Sequence, residues 1–463
     1  MNLKLKNILI LIFLMTSSLS FGDDSAKLKE AFPEPVQKFL EWEFHANTAN
    51  NPSTRGNQYF QMKHFEFPLS ELEGHFADTL DPKIRKALIF TKDNQEWIRW
   101  VVNSEDTSNY LKVESWLKGK GLDATLKSRF VGALTSSRSM LVSDPKSGAI
   151  FSIKVGTNKT GGNWQDKGVN RNQVVKARLA NDIQENVERR FAFKNLVIQL
   201  ETAGGVIADI DHGFIVRELG DDFVSGKKYY LPGFSALNEA VGESISKTNG
   251  ANNPAKFWTK HYHAPLGKAS AEMFSFMGLT FQSAHSQQYL IELDKNMKPT
   301  GKIVFRDIAD SWAMKPFFEK FEKKFPGIIE IWLNEYMNTN LRVATGTLHG
   351  MSNPSWITRE IYEDMNKVFF KNFDHVVSEI TRVPISSLSP NDISHSFSFS
   401  YAQKAISPDG VDWSNYLDNA SCYQGATTMA NGTICTEAVS FLDKIYVKES
   451  SKCFDAYLLR FLY

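Results

Sequence analysis

Residues 278–312, GLTFQSAHSQQYLIELDKNMKPTGKIVFRDIADSW, read as a β-hairpin flanked by two polar clusters. Residues 289–293 and 302–305 are short runs of β-branched, aromatic and aliphatic side chains. The polar segment between them, with Asp294, Asn296, Pro299 and Gly301, supplies turn chemistry. Symmetric pairing about that turn makes residue numbers across the ladder sum to a constant, so pairing Leu293 with Lys302 sets Gln288 opposite Asp307. His285, Gln287 and Gln288 then meet Arg306 and Asp307 at the open end. An imidazole, two amides, a guanidinium and a carboxylate gathered there could bind a polyanion and its metal ion. Equally, they could be two solvated strand ends.

The first 22 residues carry Lys4 and Lys6, an apolar run over 8–15, and small residues ending at Ser20-Phe21-Gly22. This pattern predicts a secretory signal peptide, since the apolar run is too short for a bilayer core of ~30 Å. No later segment is apolar for long enough to span. Removing two lysines and no acid turns the formal charge of +1 into −1, so the overall balance points to neither nucleic acid nor an anionic membrane surface. Apolar residues make up 42% of the chain, with 34 Phe, ample for a packed core. Cys422, Cys435 and Cys453 all lie near the end of the chain and fit no zinc spacing. Export allows one disulfide, with Cys422–Cys435 the shortest closure, and one leftover thiol; three unpaired thiols are the alternative.

The remaining chain divides into a mostly helical region over 23–125, an α+β core over 126–315 and a helical, loop-rich region over 316–463. In the first, apolar positions recur at helical spacing over 36–44 and 84–101. In the second, strands over 139–142 and 149–155 flank a Ser-Asp-Pro-Lys-Ser-Gly turn. The Gly-, Asn- and Lys-rich stretch 157–172 reads as a mobile loop. A helix is expected over 173–201, then a hairpin-like unit over 206–219. Asn253-Pro254 opens a long helix that Pro265 kinks and Gly278 closes. The fold class expected is α+β, with a helical N-terminal part, a central antiparallel sheet holding a cleft and a helical C-terminal part.

Register also places chemistry on the first ribbon. Pairing Val142 with Ala149 sets Ser137 opposite Lys154, with Arg138 one step further in. Alternation puts Ala149, Phe151, Ile153 and Val155 on one face and Lys154 on the other, more polar one. Ser136, Ser137, Arg138 and Lys154 offer hydroxyls and two cations, a donor set that grips a triphosphate, although by itself Ser-Ser-Arg reads more simply as a solvated strand end. No Gly-rich turn joins a strand to a helix here, so this is neither a P-loop nor a dinucleotide fingerprint.

The units occur in the order SSRSML, FSIKV, GFIVREL, FWTKHY, SAHSQQYLIELD and KIVFRDIAD. In this order, over about 130–315, the chain resembles the aerobactin-type synthetases, which make siderophores independently of nonribosomal peptide synthetases. The resemblance implies an ATP-dependent, carboxylate-activating ligase using Mg²⁺. Ser136, Ser137 and Arg138 would contact the triphosphate, and Lys154 would neutralise the departing phosphates. His285 would sit near the reacting carboxylate. Asp307 and Gln288 would serve the metal, with Arg306 orienting them or the substrate. Arg171, or its rival Arg178, would hold the carboxylate substrate.

The chain departs from the family where Ser283 replaces a glutamate and Gln288 an asparagine in the Glu-Ala-His-x-Gln-Asn element. The family's early His-Pro-x-His-Pro segment has no counterpart. ATP is scarce outside the cytoplasm, so export leaves two functions open. One is a divergent ligase acting on a small carboxylate, and the other is a non-catalytic exported protein that binds a carboxylate-rich ligand such as a ferric siderophore. Transfer of a phosphoryl or nucleotidyl group onto protein is a third. The expected setting is periplasmic or secreted.

Overall fold

The structure, a computed structural model, describes residues 27–46, 59–103, 107–136, 138–157, 168–188, 192–281, 286–314, 337–338, 342–344, 354–381 and 394–396. The leader-like segment, the three cysteines, most of 157–172 and nearly all of the tail from 390 lie outside the described residues.

The large sheet is formed by β1 (Tyr59–Pro68), β2 (Glu73–Phe76), β3 (Ile89–Lys92), β4 (Gln95–Val102), β5 (Lys127–Leu134), β6 (Ser139–Asp144) and β7 (Ala149–Val155). After β8 (Leu196–Ile198), which belongs elsewhere, β9 (Ala203–Ile207) and β10 (His212–Glu218) complete it. Its nine strands run in the spatial order β2-β9-β10-β7-β6-β5-β1-β4-β3, and every pairing is antiparallel. Four further strands follow, β11 (Lys228–Pro232), β12 (Leu279–Phe281), β13 (Tyr289–Asp294) and β14 (Pro299–Phe305). The second sheet has the order β11-β13-β14-β8, with β8 parallel to β14.

Alternation sorts the core into layers. One face of the large sheet, including Phe151, Ile153, Val155, Phe214 and Val216, packs on helices Pro82–Leu88 and Thr107–Gly119 through Ile84, Leu88, Val113 and Leu117. The other face offers Val131, Ala133 and Leu141 to helix Glu34–Ala46 and to Tyr230, Leu290 and Val304 of the second sheet. Ile291, Ile303 and Phe305, on the far side of that sheet, are covered by helices Ala264–Met277 and Arg359–Thr381. The class is α+β around a large antiparallel sheet.

Several local expectations need correction. The spacing over 84–101 is not one helix. Asp81 caps the short helix Pro82–Leu88, accepting from the Lys83 N–H. The chain then turns at Asp93-Asn94, both at positive φ (51° and 58°), into the β3–β4 hairpin. Two successive left-handed residues make the tight turn whose twist suits a two-residue hairpin loop, and Asp and Asn tolerate that conformation best after Gly. The region expected to be mostly helical thus contributes four strands. The helix expected over 173–201 spans Arg171–Glu188, and β8 occupies part of the remainder.

The long helix is as expected at both ends. Asn253 caps it, Pro254 takes the first turn, and Gly278, at φ 64°, ends it. A π-turn over Thr259–His263 precedes Pro265, whose missing N–H and ring interrupt regular α pairing.

Both ribbons also differ in register. On the first, Ser139, not Ser137, faces Lys154. The cause is a tighter turn, since the buried Asp144 carboxylate accepts from the Lys146 and Ser147 N–H groups and carries the strand two residues further. On the second, the ladder pairs Tyr289 with Phe305, and the Arg306 N–H donates to the Gln288 carbonyl, so Gln288 faces Arg306 rather than Asp307.

Candidate functional site

Lys154 projects from β7 on the face opposite Phe151, Ile153 and Val155, toward the second sheet. On the neighbouring strand β10, Ile215 pairs with Lys154 and Arg217 with Ser152, so Arg217 shares that face. Asp307 arrives from the other sheet, immediately after β14. It is in the left-handed conformation, φ 62° and ψ 40°, and leads the single turn Ile308–Asp310. Regular alternation would send Asp307 to the same side as Phe305, under the helices. The left-handed residue instead turns its carboxylate toward the large sheet.

One oxygen of that carboxylate is shared by two cations. Lys154 Nζ lies 2.8 Å and Arg217 Nη2 2.7 Å from Asp307 Oδ1. The same Nη2 donates to Glu201 Oε1 at 2.7 Å. Arg217 and Glu201 are almost inaccessible, with side chains 6% and 3% exposed, whereas Lys154 and Asp307 retain 16% and 22%. Burial disfavours ionised Asp307, but Arg217 and Lys154 outweigh it and hold the carboxyl well below the usual range. Burial likewise opposes the Arg217 charge, and Asp307 and Glu201 together raise its pKa further.

A second carboxylate, Asp310, lies beside the first. Its Oδ2 accepts from Gln288 Nε2 at 3.2 Å, and its N–H donates to the Asp307 carbonyl. Burial pushes its carboxyl up; Lys154, Arg138 and Lys176 act against this, and Asp307 adds to it. Lys176 belongs to helix Arg171–Glu188, which packs against the Ile308–Asp310 turn.

Of the residues singled out from the sequence, Lys154, Asp307, Gln288 and Arg138 converge. Arg138 donates to the Gly168 carbonyl at 2.6 Å and approaches Gln173. Ser136 lies at the same strand entrance, where its Oγ accepts from the Ser139 N–H. Ser137 and His285 lie outside the described residues.

Arg306 goes elsewhere. It bonds the Gln287 carbonyl through Nε and Glu43 Oε1 through Nη2, both at 2.6 Å, and its guanidinium stands 5.8 Å from the Phe39 ring. It therefore ties the second sheet to helix Glu34–Ala46. Arg171 is 63% exposed and pairs with Glu73 on the edge strand β2. Three strand spacings, roughly 14 Å, separate β2 from β7. Its rival Arg178 pairs along its own helix with Asp182.

Sequence reasoning missed Arg217, Glu201, Asp310 and Lys176. The signal existed for two of them. Arg217 follows Phe214-Ile215-Val216 in a strand too apolar to carry a charge without partners, and Lys176 sits between Val174 and Ala177 on a buried helix face.

No family model matches the chain, and no curated protein matches it. Among solved structures it resembles the petrobactin biosynthesis protein AsbB of Bacillus anthracis. The TM-score is 0.53 at 13% identity, over 74% of this chain and 67% of that one. The chain shares the fold of that petrobactin biosynthesis protein. Aerobactin synthetase IucC of Klebsiella pneumoniae aligns with a TM-score of 0.47 at 13% identity, over 71% of this chain and 64% of that one. ATP-bound aerobactin synthetase IucA of the same species gives 0.43 at 16% identity, over 79% and 75%. Among the described residues, no helix is long and apolar enough to cross a membrane.

Lys154 and Arg217 suit an anionic oxygen, and Arg138 and Ser136 lie at the adjoining strand entrance. A divalent cation fits poorly. Asp307 Oδ1 already holds an ammonium and a guanidinium. Among the described residues, no group of three His, Cys, Asp or Glu side chains could hold a metal.

Proposed function

We propose that the chain is a divergent ATP-dependent ligase of siderophore-synthetase type that activates a small carboxylate. The observation that carries this reading is the convergence of Lys154 and Arg217 from one sheet on Asp307 from the other, in a chain with this fold. In the reaction, a carboxylate oxygen of the acid attacks the α-phosphorus of ATP, and the bond from that phosphorus to the bridging oxygen breaks. Pyrophosphate leaves and an acyl-adenylate remains. An amine or hydroxyl then attacks the acyl carbon, and AMP leaves.

Lys154 and Arg217 neutralise charge growing on the departing pyrophosphate, the usual service of fixed cations in a partly dry site. Ser136 and Arg138 hold the phosphates at the entrance of β6; the family resemblance would add Ser137 for the phosphates and His285 for the reacting carboxylate. Gln288 orients Asp310. Arg306 acts through position, by fixing residues 287–288 against helix Glu34–Ala46. The protein is exported, as its first 22 residues suggest.

The test is pyrophosphate release by protein lacking residues 1–22, supplied with ATP, magnesium, citrate and a diamine. Release that falls at least about a hundredfold in Lys154→Ala, the scale of losing one charge-stabilising group, supports the ligase. The same leader-like segment favours a second reading, an exported binding protein for a carboxylate-rich ligand such as a ferric siderophore. Saturable citrate binding without nucleotide binding, read by calorimetry, would select it.

A further inference from the structure

Among the described residues, Lys154 makes a single ion pair, with Asp307, whereas Arg217 has two carboxylates. The two pairings of Arg217 differ in kind. Glu201 is buried and lies in the segment leading into β9, so it is its fixed partner. Asp307 is reached by solvent and sits on a short turn after the second sheet. Its Oδ1, 2.8 Å from an ammonium and 2.7 Å from a guanidinium, occupies the position a ligand oxygen would take.

A further observation points to a ligand there. Arg217 Nε is buried and has no acceptor among the described residues, although its guanidinium is otherwise bound to carboxylates. An unsatisfied buried donor is costly, so an arriving anion that accepts from Nε gains a bond that Asp307 leaves unmade. The left-handed φ of 62° at Asp307 adds strain of about 1 kcal/mol, which is released if the turn relaxes and the carboxylate swings out.

We propose that Asp307 is a displaceable internal anion. Its carboxylate holds Lys154 and Arg217 in place in the empty protein and yields them to a phosphate or carboxylate group of the ligand, so anion binding here needs no divalent cation. The inference rests on the reading that these two cations receive the ligand. Asp307 is thus a competitor of the ligand, not a metal ligand, and the two roles predict opposite signs for its removal.

Calorimetric titration of the purified protein with inorganic pyrophosphate, and separately with citrate, first in EDTA and then in magnesium, is the test. Asp307→Asn should bind its preferred anion about tenfold more tightly than wild type, equivalent to about 1.4 kcal/mol. Binding should be present in EDTA, and Lys154→Ala should abolish it. Asp307→Ser, with matching circular dichroism, guards against a folding artefact and should tighten binding similarly. Tightening for pyrophosphate alone identifies a phosphate ligand, and for citrate alone a carboxylate. Weaker binding by Asp307→Asn, binding only with magnesium, or no binding of either anion overturns the proposal. Pyrophosphate release from ATP is read separately. Tightening without release keeps the displaceable anion and removes the ligase, whereas release with weakened binding does the reverse.

Discussion

Replacing Arg217 with methionine tests the buried half of the charge network. Methionine keeps the apolar stem as far as the Nε position and removes the charged end of the guanidinium. Glu201, 3% exposed, then loses its cation. Removing one partner of a buried pair costs about 3–5 kcal/mol, because the remaining charge is left in a poorly polarisable interior. Asp307 contributes much less, since it is 22% exposed and keeps Lys154; an exposed pair is worth about 1 kcal/mol or less. Arg217→Met should therefore lose about 3–5 kcal/mol in urea denaturation followed by tryptophan fluorescence. Combining it with Glu201→Gln removes the orphaned charge, and the double variant should lose only about 1–2 kcal/mol, the cost of an imperfectly bonded buried amide. A coupling energy of at least ~2 kcal/mol closes the cycle. If Arg217→Met loses under ~1 kcal/mol, or the double variant is no better than the single, then Glu201 is well solvated and the separation of fixed from exchangeable partner is wrong.

Three other outcomes follow from the packing. His64 and His212 are buried, and burial lowers each pKa to about 4, so both are neutral in the native chain near pH 6. The unfolded chain takes up protons below about 6.5, so the stability these groups contribute is complete above that pH and is lost as pH falls toward 4. His212→Gln should reduce the slope of stability against pH in that window by up to about 1.4 kcal/mol per unit, measured by denaturation at several pH values. Glu272 accepts from the N–H groups of Lys194, Asn195 and Leu196, which fixes the start of β8. Glu272→Gln turns an amide donor toward those N–H groups and should cost about 2–3 kcal/mol, seen as faster hydrogen exchange at residues 194–198. Arg306→Met should cost about 1–3 kcal/mol in urea denaturation, because it removes the charged hydrogen bonds that tie the Gln287 carbonyl and the Glu43 carboxylate together.

What could be read from the chain was whatever local chemistry decides. The alternation of 149–155 assigned Lys154 to a polar face, and Asn253-Pro254 with Gly278 bounded the long helix, because caps and periods act within a few residues. The β3–β4 hairpin was missed because Asp93-Asn94 carries no Gly, and the flanking apolar residues satisfy a helical period as well as an alternating one. Arg217 and Glu201 escaped because their partnership joins a strand, the segment before its neighbouring strand and a turn beyond the other sheet. Their sequence neighbours give no hint of that meeting; only the charge inside an apolar run marks Arg217 as needing a partner.

The two register errors had unequal consequences, and parity explains why. On the first ribbon the true pairing is two residues away from the symmetric one, so every side chain stays on its face and Lys154 still points into the site. On the second ribbon the slip is one residue, which exchanges faces: Arg306 joins Leu290 and Val304 against helix Glu34–Ala46 and is drawn off to Glu43. Continued alternation along the strand would have buried Asp307 under the helices with Phe305. It reaches Lys154 and Arg217 because the ladder ends there and its backbone turns left-handed. The carboxylate that completes the site is thus held by its ion pairs and one strained residue, with no strand pairing of its own, and a group held in that way can move when a better anion arrives.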